Sequence, residues 1–350
     1  MSLFSRGMLA RYLRNAWAVR QGNEPFDAPL LVTFEITYRC NLYCDYCSDG
    51  TGRKCPDVQS TELDTAQVKE LLNVIREVCD VVNITGGEPL VRRDLEEIML
   101  HARGLGMRVG LNTNALTLHE RPMLLDLVHE VTTSLETLDP VKCAKLFGSS
   151  EAAAKQVIAN IDMLCHVSKQ KGFPVNVQGV IRRETIQDIR DVMRFCRERD
   201  VNFAPSPEIV GVWPSPELKG DAEYQALMDE LAARKRAGER ILNSIAFLEG
   251  VRDFRQFQCH PGVAPRVRPN GDLDYPSFPL QKIAGNLVQI GNYDKTMNEG
   301  RTKHGPVPAC GNHCHFSCTM DFSLAVREPL HMLKEGWYGV RRALFGTTPK

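Results

Sequence analysis

Short β-branched runs alternate with stretches of helical period from residue 30 to about residue 205. The strand candidates are LLVTFEIT (30–37), VVNIT (81–85), RVGLNT (108–113), EVTTSLE (130–136), VNVQGVI (175–181) and VNFAPS (201–206). Between them the apolar positions switch to a spacing of three and four. Val68, Leu71, Leu72, Ile75 and Val78 make one face behind a capping box of Asp64 and Gln67. Asp94 and Glu97 predict the same device ahead of Leu95, Ile98, Met99 and Ala102. Ile189, Val192, Met193 and Cys196 form a third such face. Six β/α units of this kind predict an α/β fold with a parallel sheet and helices outside, either doubly wound or an incomplete barrel. In both architectures chemistry gathers at the carboxyl ends of the strands. The unusual residues fall there: three cysteines after the first strand, TGGEP after the second, NTN ending the third.

Beyond the sixth strand the rhythm breaks. PSPEIVGVWPSPELKG (205–220) holds four prolines and two glycines and reads as a linker, and a polar helix is expected over about 221–249. From Cys259 to Cys318 the chain is rich in Pro, Gly and Asn, too irregular to bury much core. Segments of that kind are stapled by a metal or cofactor.

Composition narrows the class. With 43% hydrophobic and 25% charged residues the chain is ordinary globular material, and a formal net charge of zero gives no nucleic-acid-coating surface. Its apolar runs are short of the roughly 18 residues that span a bilayer. Arginines interrupt the start, MSLFSRGMLARYLRNAWAVRQG, so no secretory signal is read and a cytoplasmic protein is expected. The twelve cysteines are uneven, with three in 40–47 and three in 310–318, which favours metal over disulfides. Cys79, Cys143, Cys165 and Cys196 stand singly in apolar or helical surroundings and read as small buried hydrophobes.

TYRCNLYCDYCSDG (37–50) raises a question of ligand number. Thiolates select zinc or iron–sulfur clusters. A structural zinc site wants a fourth Cys or His, and Cys55 is the only nearby candidate. An iron–sulfur cube on Cys40, Cys44 and Cys47 leaves one iron open to bind a substrate or cofactor.

These residues resemble a known signature. Cys40-Asn41-Leu42-Tyr43-Cys44-Asp45-Tyr46-Cys47 is similar to the CxxxCxxC motif of the radical S-adenosylmethionine (radical SAM) superfamily. TGGEPL (85–90) resembles its Gly-Gly-Glu motif, and LNTNA follows on the third strand; the match runs over roughly 30–206. The resemblance implies a partial (β/α)6 barrel, open laterally, and a [4Fe–4S] cluster held by Cys40, Cys44 and Cys47. It implies that the open iron takes the amino and carboxylate groups of SAM. Reduction then cleaves SAM to methionine and a 5′-deoxyadenosyl radical that abstracts a substrate hydrogen. It further implies that Gly86 and Gly87 admit the methionyl amine, with Glu88 fixing local geometry or the amine's charge. Tyr46 would sit near adenine, Val180 and Ile181 would flank it, and Asn112, Asn114, Ser134 and Glu136 would serve ribose and carboxylate. The plainer reading makes the asparagines turn residues and leaves Ser134 and Glu136 as strand-end punctuation. A low-potential electron donor such as flavodoxin or ferredoxin is implied as a partner, and no catalytic acid or hydrogen donor is assigned.

A second group, Cys259, Cys310, Cys314 and Cys318, resembles the auxiliary-cluster extensions of that superfamily, SPASM when long and Twitch when short. RVRPNGDLDYP and AGNL are similar to their hairpin and turn, but Pro276-Ser277 stands after LDY where a cysteine is usual. Four thiolates suit one closed second [4Fe–4S] cluster, with zinc as the rival because His260, His313 and His315 are close. The expected organisation is an amphipathic segment (1–29), the core (30–210), linker and helix (211–255), the auxiliary-cluster region (256–322) and a C-terminal amphipathic helix (323–350).

The substrate is less legible. The 29 residues before the first strand are too few for a leader-binding domain, so a peptide maturase would need a separate recognition partner. Residues 1–20 and 331–345 interleave basic and aromatic residues at helical spacing, as helices lying on anionic membranes do, or as helices packed on a core do. The leading expectation is a small-molecule or lipid substrate, with peripheral contact at the inner membrane face. Peptide maturation is the alternative, and a non-enzymatic iron–sulfur or zinc protein is the third reading.

Overall fold

The computed structural model describes residues 6–47, 62–210, 213–307, 315–328 and 335. Cys55, Cys310, His313, Cys314 and, apart from Glu335, the 331–345 segment lie outside the described residues, as does the side chain of Cys318.

The strands are β1 (Val32–Glu35), β2 (Val81–Thr85), β3 (Arg108–Thr113), β4 (Glu130–Ser134), β5 (Val175–Ile181), β6 (Asn202–Pro207), β7 (Ile209–Val210), β8 (Trp213–Pro214), β9 (Arg266–Val267), β10 (Asp272–Asp274) and β11 (Ile283–Asn286). The helices are α1 (Arg6–Arg20), α2 (Thr65–Val78), α3 (Leu95–Gly104), α4 (Leu124–Leu127), α5 (Pro140–Leu146), α6 (Glu151–Lys171), α7 (Ile186–Glu198), α8 (Ala222–Arg236), α9 (Ile245–Arg252), α10 (Leu287–Ile290), α11 (Tyr293–His304) and α12 (Ser317–Arg327). β1 to β6 pair in parallel in sequential order, which is what successive β/α units produce. The sheet face and the helices share one core. Val82, Ile84, Leu111, Val131 and Val177 are fully buried, as are Val68, Leu71, Leu72 and Ile75 of α2 and Ile189 and Val192 of α7. Cys79, Cys143, Cys165 and Cys196 are buried in it as well.

Asp64 and Gln67 form the expected capping box: the Asp64 carboxylate accepts from Gln67 N and the Gln67 side chain from Asp64 N. Asp94 does not repeat it. Its carboxylate accepts both Arg92 Nε and Nη2 at 2.8 Å and the Thr65 hydroxyl at 2.7 Å, so the side chain is drawn away from the α3 amides. A charged bidentate partner two residues back outcompetes a backbone cap.

The reading of 205–220 as a linker is corrected. β6 runs to Pro207, and Ile209–Val210 pairs antiparallel with Trp213–Pro214 as a hairpin. The single helix expected over 221–249 is two. Between α8 and α9, residues 240–242 run along the edge of β6, with Phe203 N donating to Arg240 O and Leu242 N to Phe203 O, both at 2.8 Å. Ser244 then caps α9, its hydroxyl accepting from Phe247 N.

The irregular C-terminal segment is not a separate layer. β9 pairs in parallel with β1, and β10 and β11 follow antiparallel, giving among the described residues a sheet in the order β11-β10-β9-β1-β2-β3-β4-β5-β6. α1 packs by one face only: Met8 joins Leu30, Val263 and Val326, and the Tyr12 hydroxyl donates to Ala325 O at 3.0 Å.

Candidate active site

The three cysteines lie on the loop that leaves β1, and two neighbours clamp that loop by backbone bonds. On one side Gly87 N donates to Thr37 O and Glu88 N to Arg39 O, each at 2.8 Å. On the other, Tyr43 N donates to Phe147 O at 2.8 Å and Asp45 N to Leu146 O at 3.1 Å. Both clamps need glycine. A Cβ on Gly87 would overlap the Arg39 carbonyl, and one on Gly148, at φ +54°, would overlap the Tyr43 carbonyl. Gly86, at φ +144°, meets Thr37 in the same way. The glycine pair therefore has a task against the chain's own loop, besides any approach to a ligand.

Glu88 is the buckle between the exits of β2 and β3. It accepts from Leu90 N at 3.0 Å, the Thr113 hydroxyl at 2.7 Å and Asn114 N at 2.7 Å. Burial pushes its carboxyl up to about 7 against those three donors. Asn114 carries the link onward, its amide donating to Asn41 Oδ1 at 2.7 Å and lying 4.0 Å from Cys40 Sγ. Behind the loop, Glu62 accepts the Thr37 hydroxyl at 2.6 Å and Tyr38 N at 2.8 Å. Nothing in the local sequence singles out Glu62, since its partners lie some two dozen positions back.

The carboxyl ends of the strands enclose a cavity of about 280 Å³. Cys40, Cys44, Cys47, Tyr46, Gly86, Gly87, Glu88, Asn112, Asn114, Ser134 and Val180 all reach its wall, so the sequence-predicted residues are largely brought together. Of the residues expected around SAM two are not on the wall, and Cys259 of the second group does not line it either. Ile181 is fully buried in the core, because successive strand residues point to opposite faces. Glu136 is fully buried beside the Tyr46 phenol, where burial pushes its carboxyl up to about 7. The Tyr46 hydroxyl and the Glu136 carboxyl face each other there, out of reach of water. The wall also includes Thr132, Gln178 and Ser206, which sequence reasoning passed over. The signal was available: counting back by two from Ser134 and Val180 lands on Thr132 and Gln178. Phe316 and Ser317, at the start of α12, close the far side, so the C-terminal extension contributes to the same cavity.

The donor set fits an iron–sulfur cluster. Three thiols share the cavity wall, whereas among the described residues no three Cys, His, Asp or Glu side chains converge on a point fit for a single ion. Burial pushes the Cys40 thiol up to about 11, and burial, Glu136 and the neighbouring thiols raise Cys44 further. Such thiols keep their protons until a metal replaces them. The neutral ring of Asn112, Ser134 and Gln178 suits a polar ligand beside the cluster.

The family description "Radical SAM superfamily" matches residues 34–196, a span holding all three cysteines and the Gly-Gly-Glu segment. Residues 34–196 form a radical SAM domain. It is 26% identical over 333 residues to the mycofactocin maturase of Mycobacterium tuberculosis, covering 86% of this chain and 80% of the relative. Among solved structures it is similar to Streptococcus suis SuiB bound to S-adenosylmethionine, with a TM-score of 0.53 at 17% identity over 71% of this chain. It spans 60% of SuiB's length. Native anSMEcpe with bound AdoMet gives a TM-score of 0.56 at 14% identity, over 90% of this chain and 98% of that one. These structural likenesses establish the fold. A radical SAM domain implies a [4Fe–4S] cluster and SAM.

Proposed function

We propose that this radical SAM enzyme modifies a peptide. The observation that carries the reading is the extent of the likeness to the mycofactocin maturase, which covers 86% of the chain and so runs beyond the 34–196 domain into the C-terminal half. SuiB, known bound to its precursor peptide SuiA, adds support at a TM-score of 0.55. The comparisons thus weigh for a peptide over the small molecule or lipid that the sequence put first.

In this reading Cys40, Cys44 and Cys47 hold the cluster, and Asn112, Ser134 and Gln178 orient SAM through neutral hydrogen bonds. Tyr46 and Val180 pack its adenine, and the Gly86–Gly87 backbone receives its amine. When bound, the cluster supplies the electron that cleaves SAM. Cys259, Cys310, Cys314 and Cys318 would hold a second cluster, which would supply an electron acceptor for the oxidation of a substrate radical. In support, Cys318 follows directly on Ser317 of the cavity wall. The core spans 30–210 and the auxiliary region 256–322; a flavodoxin or ferredoxin supplies the electrons and a separate partner presents the peptide.

The test is anaerobic incubation of the reduced, reconstituted enzyme with SAM and the short peptides encoded beside its gene. A mass change in one peptide, with 5′-deoxyadenosine formed in step, is expected. SAM cleavage that changes no peptide but does change an added lipid extract would overturn the reading.

A further inference from the structure

Among the described residues, none covers one face of α1. Its inward positions are occupied: Met8 sits with Leu30, Val263 and Val326, Arg11 pairs with Asp80, Tyr12 bonds Ala325 O, and the Asn15 amide donates to Ala28 O at 2.7 Å. On the outward side Leu9, Leu13 and Trp17 are 52%, 59% and 65% exposed. Their spacing of four sets them in one line, roughly 12 Å long at 1.5 Å per residue. The helix sequence RGMLARYLRNAWAVR holds four arginines and no acid. Arg14 and Arg20 are exposed along the same side, and Arg14 is joined to Asp27 only in an exposed pair that contributes little.

We infer that α1 is a peripheral docking helix for an anionic lipid bilayer. Leu9, Leu13 and Trp17 enter the headgroup boundary, and Arg14 and Arg20 meet lipid charge. A single line of three side chains is far narrower than the roughly 800 Å² per partner that a stable protein interface buries. It does match the shallow immersion of an interfacial helix, where tryptophan's amphipathic ring is favoured and basic residues flank the apolar edge. The exposed guanidinium groups of Arg14 and Arg20 select an anionic surface.

The placement on the fold decides what docking achieves. α1 touches Asp80 and Leu30, which precede β2 and β1, whereas the cavity is built from residues that end or follow the strands. The docked face therefore lies at the opposite end of the strands from the cavity. α12 joins the two: Ser317 lines the cavity, Ala325 and Val326 hold α1, and the 11 residues of this helix span roughly 16 Å. Docking holds the enzyme at a membrane surface without burying its reactive site, and it needs neither SAM nor peptide.

The test is co-sedimentation of the full chain with phosphatidylcholine vesicles and with vesicles mixing phosphatidylcholine and phosphatidylglycerol. The variants are Leu9→Ser/Leu13→Ser/Trp17→Ser and, separately, Arg14→Gln/Arg20→Gln. Binding to the anionic vesicles, lowered by salt and falling about a hundredfold in the apolar variant, is expected. The arginine variant should lose the preference for anionic lipid while keeping wild-type thermal stability. Absence of binding to anionic vesicles overturns the inference, as does binding that the apolar variant retains. A lipid-free dimer that the apolar variant dissolves would also overturn it, by assigning the stripe to self-association. None of these outcomes bears on peptide modification, which is read from product mass.

Discussion

Arg182 Nη1 donates to Asp45 Oδ2 at 2.9 Å, joining the exit of β5 to the loop between the second and third cysteines. The same guanidinium lies 3.1 Å from both Glu184 and Glu208, so one side chain gathers the cluster loop and the exits of β5 and β6.

That linkage predicts a positioning role. Arg182→Gln should leave the melting temperature within the range of a partly exposed ion pair, about 1 kcal/mol or less. Cluster retention on gel filtration should fall, and SAM affinity should weaken about tenfold, or about 1.4 kcal/mol. Arg182→Lys should restore part of both, since a point charge replaces a fork. Unchanged iron content and SAM affinity in Arg182→Gln would remove the role.

The Gly87 clamp predicts a fold defect local to the loop. Gly87→Ala places a methyl group against the Arg39 carbonyl, which has backbone on both sides and little room to give. A loss of about 2–4 kcal/mol in unfolding of the metal-free protein is expected, together with failure to reconstitute the cluster. Normal reconstitution would show that the loop can shift.

Glu136 predicts a pH dependence. Its carboxyl is raised to about 7 in the folded protein by burial, so folding favours the protonated form. Stability from this group is complete below its unfolded value near 4.5 and is lost as pH rises through 7. Glu136→Gln removes the ionisation. In the metal-free protein the variant should gain on wild type between pH 4.5 and 8, by up to about 3 kcal/mol. Parallel pH profiles of the two proteins in chemical denaturation would contradict this.

Metal content separates the two cysteine groups. Reconstituted wild-type protein should hold about eight irons. Cys40→Ala/Cys44→Ala/Cys47→Ala should hold about four and should no longer cleave SAM. About four irons with one zinc in the wild type would place zinc on the second group.

What could be read from the sequence follows the range of the interactions involved. β2, β3 and β5 lie where the β-branched runs put them, and the cysteines and the Gly-Gly-Glu segment meet at one cavity, because strand-end position is a local property. The hairpin of β7 and β8 carried no signal, since segments of two residues have no period, whereas β9 and β10 were legible only through the likeness of RVRPNGDLDYP to a family hairpin, and their joining to β1 was not legible at all. Arg182 and Asp45 are 137 positions apart, and no spacing rule reaches that far. Asp94 misled for the opposite reason: its local signal was right in type, but Arg92 took the carboxylate.

The pairing of Thr33 with Arg266 bears on how the protein is made. β1 emerges from the ribosome early, yet one of its edges waits for a strand that is synthesised far later. Until then that edge offers open backbone amides and carbonyls to any neighbouring chain. A fragment ending after β6 would keep the whole cluster loop and still be expected to aggregate. The C-terminal segment thus acts as the closing strand of the nascent core, whatever metal it comes to hold.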